Sequence, residues 1–583
     1  MTAQQGTKQM TPEMLLTMPR VGSYALAPNG KQVVYNVSQP SIKDNNSRTS
    51  IYLINSDGSG RTELTAPSAG SEYTPRWSRD GKQIYFMRGT DQGMQLFART
   101  LSDGVERQLT AIDGGIVDYR FSPDETTLLY VQDIKARPVV TDVYPDLDKA
   151  DARIIEDLMY KHWDEWVSTM PHPFIAKVTA QPITKGLDLL EGEPYEAPMR
   201  PHNGIEDIAF SPDGNLIAYA CRKKTGLEYS LSTNSDIYLY NVTTGETTNV
   251  SEGIMGYDTN PVFSPDGRSL IWIGMERDGY ESDLQVMYLY DLAKKQYRPL
   301  TADFEYNISN PTWSADSKTI YFITCHEALT HLYSYQLSNG KIKQITDGQY
   351  DYTGFDINDK GVCVASRQAM TYPTELYMVN LKNGKATALT QEDKPIMSQL
   401  GDLTCEKRWM PTTDGGKMLT WVLYPPHFDK NKQYPSILYC QGGPQNTISQ
   451  FWSYRWNPRI MAEQGRPEPN GRARLTEGYN LPARYVLHTV GPIVRGRVTG
   501  ENRRELASCY RACLELAAEH GLHSVAFCCI STGEFRFPNR EAAGIAVDTV
   551  TGFLRRNTSI QRVIFNVFQE LDERIYRSLL GGG

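Results

Sequence analysis

The sequence predicts a mainly β protein, in which a β-propeller of about seven blades is followed by a smaller α/β part. Two observations predict this class. A tight-turn signature recurs at intervals of about 50 residues through the first part of the chain, with short β runs beside it. Toward the C-terminus, strand and helix patterns alternate instead.

The recurring turns combine Ser, Pro, Asp and Gly, which favour tight hairpins because Pro fixes φ and Gly accepts a positive φ. A short β run follows each turn, as in 83–87 and 269–273, and a second hairpin lies nearby. A four-stranded unit made of two hairpins cannot bury both faces alone, so the units are predicted to stack radially. The turns begin at Ala27, Ser78, Ser122, Ser211, Ser264, Ser314 and Asn358.

One interval in this repeat is long. Ser122 and Ser211 are 89 residues apart, which predicts an insertion at about 134–202. The insertion contains a charged and aromatic segment at 160–166. A solvated rim and a site for a substrate amine are the two interpretations of its acidic residues.

The composition limits the function. The hydrophobic fraction of 40% and the charged fraction of 22% are those of ordinary globular proteins. The net charge of −8 argues against a nucleic-acid partner. No run approaches the length of a membrane span, so we expect a soluble protein with no membrane partner. The first 22 residues lack the apolar core of a signal peptide, and the localisation stays unknown.

The use of lysine changes abruptly along the chain. All 24 lysines precede residue 466, whereas the last 118 residues contain none and have 16 arginines. Residues 1–465 carry 44 basic and 56 acidic side chains, and the rest carry 16 and 12. This break indicates two pieces of different origin, joined near Gln464–Pro467.

The nine cysteines do not predict a disulfide framework, because an odd number cannot pair fully and the spacings are not dense. Cys509 and Cys513 are four residues apart in a helical pattern, with two histidines and Cys528–Cys529 downstream. Zinc binding is one interpretation. Burial as small apolar residues is the favoured one, and we predict no metal site.

The C-terminal part shows alternating strands and helices, which indicate a layer rich in parallel strands. Ligands of such layers bind beyond the carboxyl ends of strands. Ser531–Phe535 lies at such an end ahead of a helix, a position that suits an anion. The predicted elements are strands at 485–490, 524–530 and 562–568, and helices at 501–520, 540–554 and 570–580.

Residues of about 10–465 resemble the prolyl oligopeptidase and dipeptidyl peptidase family of serine peptidases, in which a propeller caps an α/β-hydrolase domain. The resemblance rests on the repeat, on 162–166 and on the run 434–445. It implies that the run 434–445 contains the first central strand of the hydrolase, an apolar strand of five residues, followed by its oxyanion loop. It also implies peptides as partners at the propeller face, and relatives are often exported to the periplasm.

The same resemblance implies that Gln441, Gly442 and Gly443 are a remnant of the oxyanion loop. Backbone N–H groups at the carboxyl end of a strand can stabilise developing negative charge. An ordinary turn is the alternative interpretation.

The residues that would complete this active site are missing from the sequence. The family requires a Gly-x-Ser-x-Gly nucleophile elbow, then Asp and His. Glycines four residues apart occur only at Gly89/Gly93 and Gly496/Gly500, around Asp91 and Val498. We therefore predict no catalytic residues, and interpret 401–465 as a truncated N-terminal segment of the hydrolase.

Residues of about 470–583 resemble the C-terminal part of bacterial macrodomains, a family of ADP-ribose-binding proteins and ADP-ribosyl hydrolases. The resemblance implies that Ser531, Thr532, Gly533, Glu534 and Phe535 bind the diphosphate, with Phe535 near the distal ribose. The first half of the family's domain has no counterpart here, and neither does the catalytic zinc site of one subgroup. The segments that carry it are 475–483, 488–492, 530–535 and 563–568.

These observations favour a hybrid of two truncated enzymes, without complete peptidase or ADP-ribosyl hydrolase activity and without a cofactor. The alternatives are a propeller-linked module that binds ADP-ribose, and a peptidase that acts on peptide N-termini. The expected partners are peptides and weakly bound ADP-ribose. The predicted domains are a propeller at 1–400, the hydrolase segment at 401–465 and a macrodomain-like fragment at 466–583.

Overall fold

The computed structural model describes residues 8–66, 70–155, 167–200, 203–440, 442, 446–464, 469–478 and 481–581. The chain forms two compact units. The first comprises Met1–Lys432 and Ile437–Gln464, and the second comprises Gln433–Ser436 and Gly465–Gly583. The first unit is mainly β and the second mixes strands with three long helices.

The first unit contains seven blades of four antiparallel strands, each paired in chain order. A parallel pairing of Thr330 with Asp351 joins blades 6 and 7. The strands of blades 1 to 3 are β1 Arg20–Leu26, β2 Gln32–Ser41, β3 Asn46–Asn55, β4 Thr62–Glu63, β5 Glu72–Trp77, β6 Gln83–Thr90, β7 Gly93–Thr100, β8 Glu106–Gln108, β9 Asp118–Phe121, β10 Thr127–Lys135, β11 Thr169–Lys177 and β12 Leu187–Asp188.

Blades 4 to 7 follow the same plan, and a 3-10 helix, Ile205–Asp207, leads into blade 4. Their strands are β13 Ile208–Phe210, β14 Leu216–Cys221, β15 Asp236–Asn241, β16 Thr247–Asn249, β17 Asp258–Phe263, β18 Ser269–Gly274, β19 Val286–Asp291, β20 Gln296–Pro299, β21 Ile308–Trp313, β22 Thr319–His326, β23 Leu329–Gln336, β24 Ile342–Gln344, β25 Asp351–Ile357, β26 Cys363–Ala369, β27 Tyr372–Val379 and β28 Ala386–Ala388.

The last blade packs against the first, so the seven blades close into a ring. The Leu26 N–H donates to Asp356 Oδ2 over 2.8 Å. The Tyr24 hydroxyl donates to Ser366 Oγ over 3.1 Å. The predicted β-propeller is therefore confirmed.

The propeller core lies between blades, in apolar clusters that each join two neighbours. Burial of such side chains is the main favourable term in folding. One large buried side chain from each cluster, beginning between blades 1 and 2, is Phe86, Tyr119, Tyr219, Trp272, Phe322, Tyr352 and Tyr35.

The recurring turn has one hydrogen-bond pattern. Ser264 Oγ donates to Asp266 Oδ1 (2.6 Å) and accepts from the Ser269 N–H (2.9 Å), while Gly267 has a φ of 69°. These bonds explain why the hairpins need Ser, Asp and Gly. The same serine-to-aspartate bond occurs at Ser78, Ser122, Ser211 and Ser314.

A second repeated hydrogen bond was not predicted from the sequence. At the end of the fourth strand in six blades, a buried hydroxyl accepts a hydrogen bond from the backbone N–H 14 residues earlier, over 2.6–3.0 Å. We call these residues the latch hydroxyls. An apolar residue directly precedes each of these Thr and Ser residues, and this pattern could have identified them from the sequence. The latch hydroxyls belong to Thr65, Thr110, Ser251, Thr301, Thr346 and Thr390.

The insertion is narrower than predicted, because β11 and β12 of blade 3 lie inside the range 134–202. The additional residues are divided between the β10–β11 and β12–β13 connections, with helix α2, Val140–Val143, in the first. The segment 160–166 lies outside the described residues.

The rest of the first unit follows the propeller. Strands β29, Thr404–Pro411, and β30, Lys417–Tyr424, form a hairpin. Met10, Leu15, Leu400 and Trp452 share an apolar cluster. The short helices of this unit are α1 Pro12–Leu16, α3 Gly226–Leu231, α4 Lys394–Met397 and α5 Pro458–Gln464.

The prediction of a strand within the run 434–445 is wrong, since residues 434–440 form no strand. Ile437 and Leu438 expose 62% and 83% of their surface. A central strand is stable only when neighbouring strands satisfy its backbone and cover its side chains. Among the described residues, β29 and β30 pair only with each other.

The second unit contains two small sheets. Strand β31, Ala473–Glu477, which was not predicted, pairs antiparallel with β32, Tyr485–Thr489. Strand β33, Ser524–Phe527, pairs parallel with β34, Arg562–Phe565. Both parallel strands end three residues earlier than predicted, where the described residues offer no partner strand.

Three helices cover these sheets at nearly the predicted positions. They are α6 Gly500–Glu519, α7 Asn539–Leu554 and α8 Glu570–Leu580. The Thr499 hydroxyl caps α6 by accepting from the Asn502 N–H. The predicted apolar face of α6 is buried, and it consists of Leu506, Cys509, Tyr510, Cys513, Leu514 and Ala517. Among the helices of the described residues, none is long and apolar enough to cross a bilayer.

Candidate functional site

The predicted anion loop, Ser531–Phe535, follows β33 and precedes α7. Ser531 has a φ of 66°, in the left-handed region that non-glycine residues rarely occupy. The Phe537 N–H donates to the Ser531 carbonyl oxygen over 2.9 Å, and the Arg536 N–H donates to the Gly533 carbonyl oxygen over 2.9 Å. The loop is therefore a tight turn held at both ends.

The turn leaves its central donors free. Among the described residues, no hydrogen-bond acceptor is found for the backbone N–H groups of residues 533–535. Gly533 is exposed, and a Cβ built on it meets no atom within 4 Å. Consecutive free N–H groups in a turn are suited to binding an anion.

A neighbouring segment, 491–494, packs closely against the loop. A Cβ on Gly491 would lie 2.1 Å from Ser531 Oγ and 2.7 Å from Ile530 Cγ2. The Val494 N–H donates to the Phe535 carbonyl oxygen over 2.8 Å. Gly491 is therefore required by close approach, and sequence reasoning did not single it out in this role.

Residues at both ends of the loop belong to the apolar core of the second unit. Phe537 is buried, and Tyr510 lies against Phe527 with 5.0 Å between ring centroids. The Ile530 N–H donates to the Tyr510 hydroxyl over 3.4 Å. Burial raises the pKa of Tyr510, so the hydroxyl stays protonated.

The cysteines that allowed a zinc interpretation lie in this core. Cys509 and Cys513 are buried. Burial raises the pKa of the Cys513 thiol to about 12, so the thiol is protonated in this core. In the portion of the chain that the structure describes, no group of three His, Cys, Asp or Glu side chains is placed to hold a metal ion.

The predicted oxyanion remnant is only partly described. Gly442 is an exposed bend residue, and a Cβ added to it would meet no atom within 4 Å. Gln441 and Gly443 lie outside the described residues. Since 434–440 is not a strand, Gly442 does not follow a strand end as the resemblance implied.

Comparisons with known proteins agree with this division of the chain. The family described as TolB beta propeller domain matches residues 203–399, and the family described as Macro domain matches residues 457–546. Pyrococcus horikoshii acylaminoacyl peptidase has a TM-score of 0.60 at 16% identity, over 98% of this chain and 76% of that one. This likeness shows the fold alone.

Two relatives are similar in sequence to different parts of the chain. A protein-ADP-ribose hydrolase from Treponema medium is 54% identical over 121 residues, or 21% of this chain and 46% of that protein. Dipeptidyl-peptidase 5 from Porphyromonas gingivalis is 56% identical over 468 residues, or 80% of this chain and 68% of that protein. The chain thus belongs to the dipeptidyl-peptidase 5 family, and it carries a macrodomain-like segment toward its C-terminal end.

Proposed function

We propose that this chain is a hybrid that binds ADP-ribose weakly and hydrolyses neither peptides nor ADP-ribosyl groups. The free N–H groups of residues 533–535 are the observation that carries this proposal. They lie beyond the carboxyl end of β33, where a diphosphate binds in α/β layers. The similarity to a protein-ADP-ribose hydrolase supports ADP-ribose as the ligand.

Weak binding follows from the extent of the macrodomain-like part, which matches 46% of its relative. Contacts that the other half of such a domain supplies to a ligand have no counterpart in that match. Losing two or three hydrogen bonds to charged groups, at about 1.5–3 kcal/mol each, moves a micromolar site to millimolar or weaker.

We expect no peptidase activity, because the motif that would carry the nucleophile is missing. The sequence contains no Gly-x-Ser-x-Gly, and 434–440 does not form the strand that precedes an oxyanion loop. Loss of the catalytic triad in a serine peptidase reduces kcat by about six orders of magnitude. Peptide binding at the propeller face stays a prediction, because 160–166 lies outside the described residues.

Calorimetric titration of the full chain with ADP-ribose tests the proposal. We expect the unmodified chain to bind with a millimolar dissociation constant. Gly533→Glu should show no measurable binding, because the new carboxylate occupies the open side of the loop. Gly552→Glu in α7 is the matched control, since a Cβ there also meets no atom within 4 Å. No binding, or equal binding by the two variants, contradicts the loop as the site.

The catalytic part of the proposal is tested separately. A fluorogenic dipeptide should not be hydrolysed, and a serine-directed fluorophosphonate should not label the chain. Turnover that is abolished by replacing one particular serine would show that the chain is a working peptidase. A micromolar dissociation constant for ADP-ribose would instead favour the alternative of a propeller-linked module that binds ADP-ribose.

A further inference from the structure

The parallel sheet of the second unit is covered on one face only. Val525 and Phe527 of β33 and Val563 and Phe565 of β34 pack into the apolar core of this unit. The Phe527 ring lies 5.0 Å from the Tyr510 ring of α6, measured between centroids. The same core contains buried side chains of α7 and α8, so all three long helices contribute to the covered side of the sheet.

The alternate residues of the two strands form the opposite face of this sheet. Ala526 is paired with Ile564 in the strand register, and Ser524 is paired with Arg562. All four residues are exposed, and Ile564 exposes 40% of its surface. We call these four residues the open face. Just beyond β34, Phe568 is 100% exposed.

A parallel pair of strands with an open face is an unfinished layer. Parallel sheets are almost always buried on both faces, because the crossover connections between their strands place helices there. In the described part of the second unit, β33 and β34 pair only with each other, so each strand also has an unpaired edge. Unpaired edges readily accept a strand from another chain. The open face and these edges therefore form one surface that a further polypeptide layer can cover.

The similarity to a protein-ADP-ribose hydrolase indicates which polypeptide fits this surface. The match extends over 46% of the Treponema medium protein, so more than half of that protein has no counterpart in it. A second copy of this chain is the poorer occupant. A symmetric contact brings the same patch of both copies together, and it would bury Arg562 twice although the open face has no acidic side chain.

We propose that the open face and the edges of β33 and β34 bind a separate polypeptide with the character of the missing half of a macrodomain. This partner is an α/β segment that adds strands at the edges and covers the open face with apolar side chains. The inference goes beyond the proposed function, since the contact involves strands and side chains of the sheet and requires no ADP-ribose.

Co-expression of the full chain with the part of the Treponema medium protein outside the match tests this inference. We expect the fragment to be purified with the chain as a one-to-one complex, with a dissociation constant of about 1 µM or tighter. Hydrogen exchange of the amides in β33 and β34 should slow at least about tenfold in the complex, because their edges become paired. Exchange in the propeller strand β18 should not change.

A substitution on the open face locates the contact. Ile564→Lys should weaken the complex at least about tenfold, because the partner would then bury a second positive charge beside Arg562. Val105→Lys is the matched control, since Val105 is an apolar residue of the propeller that exposes 61% of its surface. This variant should bind the fragment as the unmodified chain does. Circular dichroism and thermal unfolding establish that both variants are folded.

Failure of the unmodified chain to capture the fragment, including a fragment that stays insoluble beside it, would overturn the inference whether or not a variant folds. Equal capture by Ile564→Lys would overturn it as well, because the contact would lie elsewhere. A dimer of the full chain in sedimentation velocity that Ile564→Lys dissociates would show that a second copy covers the open face, which also contradicts the inference.

The inference and the proposed function can fail separately. If the complex forms through the open face but the chain does not bind ADP-ribose, the inference holds and the proposed function fails. If the chain binds ADP-ribose with a millimolar dissociation constant but does not capture the fragment, the proposed function holds and the inference fails.

Discussion

The propeller and the C-terminal unit both bury an apolar core, but only the propeller completes its sheets. Each blade has four strands, and its faces are covered by the next blades. The sheets of the C-terminal unit have two strands each among the described residues. Phe322 of the propeller is fully buried, whereas Phe568, after β34, is 100% exposed.

The difference shows how far each fold depends on distant partners. A blade pairs strands that follow one another in the chain, and the blade next to it covers its faces. A parallel layer needs strands from separate parts of the chain, because parallel neighbours require a crossover connection. A fragment of a propeller therefore keeps paired strands, while a fragment of a parallel layer exposes its edges.

The largest expected effect contrasts the two aromatic residues. Phe322→Ala should lower the free energy of unfolding of the propeller by about 3–5 kcal/mol, because it leaves a cavity between blades. Phe568→Ala should change stability by less than about 0.5 kcal/mol, since the side chain has no contacts to lose. Urea unfolding followed by circular dichroism measures both. A comparable loss in the two variants would contradict the comparison.

A buried acidic pair makes the propeller sensitive to pH. Burial raises the pKa of Glu375 to about 7, and burial together with the Glu375 and Glu392 charges raises that of Asp393 to about 8. The Asp393 N–H donates to Glu375 Oε1 over 3.1 Å. Both Asp393 carboxyl oxygens are buried without a partner among the described residues.

Because the folded state binds more protons than the unfolded state between about pH 4 and pH 8, stability should fall as the pH rises through this range. We expect a loss of about 2 kcal/mol or more, measured by urea unfolding at pH 5 and pH 8.5. Asp393→Asn should flatten the profile, while Asp359→Asn, at an exposed turn, should leave it unchanged. A profile that rises with pH in the wild type would show that the pair is ionised.

The latch hydroxyls predict a smaller effect. Thr301→Val keeps the shape of the side chain but removes the acceptor of the Met287 N–H, a bond of 2.9 Å. A buried N–H without a partner lowers stability by about 1–3 kcal/mol. Thr248→Val is the control, because Thr248 is exposed. Thermal unfolding that is equal for both variants would show that the latch adds no stability.

The smallest expected effect tests the support of the anion loop. Gly491→Ala should weaken ADP-ribose binding by about tenfold, or about 1.4 kcal/mol, because the new Cβ displaces Ser531 and Ile530. Adding Ser531→Ala removes the Oγ that would clash and should recover part of the affinity. Gly544→Ala, with open space at its Cβ, is the control. Unchanged affinity in Gly491→Ala would mean that the loop adapts.

Much of the propeller and part of the candidate site could be predicted from short-range patterns. The turn residues, the alternating β runs and the apolar face of α6 are set within a few residues of one another. The loop Ser531–Phe535 was predicted from its place between a strand and a helix. The strand within the run 434–445 was predicted wrongly, because an apolar run forms a strand only where neighbouring strands pair with it.

The sequence by itself determined the repeat, the helices and the position of the anion loop, because propensity, turn chemistry and periodicity act locally. Only the tertiary structure decided which segments meet. It brought Asp356 to the Leu26 N–H where the last blade meets the first, Thr390 to Glu375 Oε2, and Gly491 against Ser531. Such contacts join residues far apart in the chain, and their geometry depends on packing that no local pattern encodes.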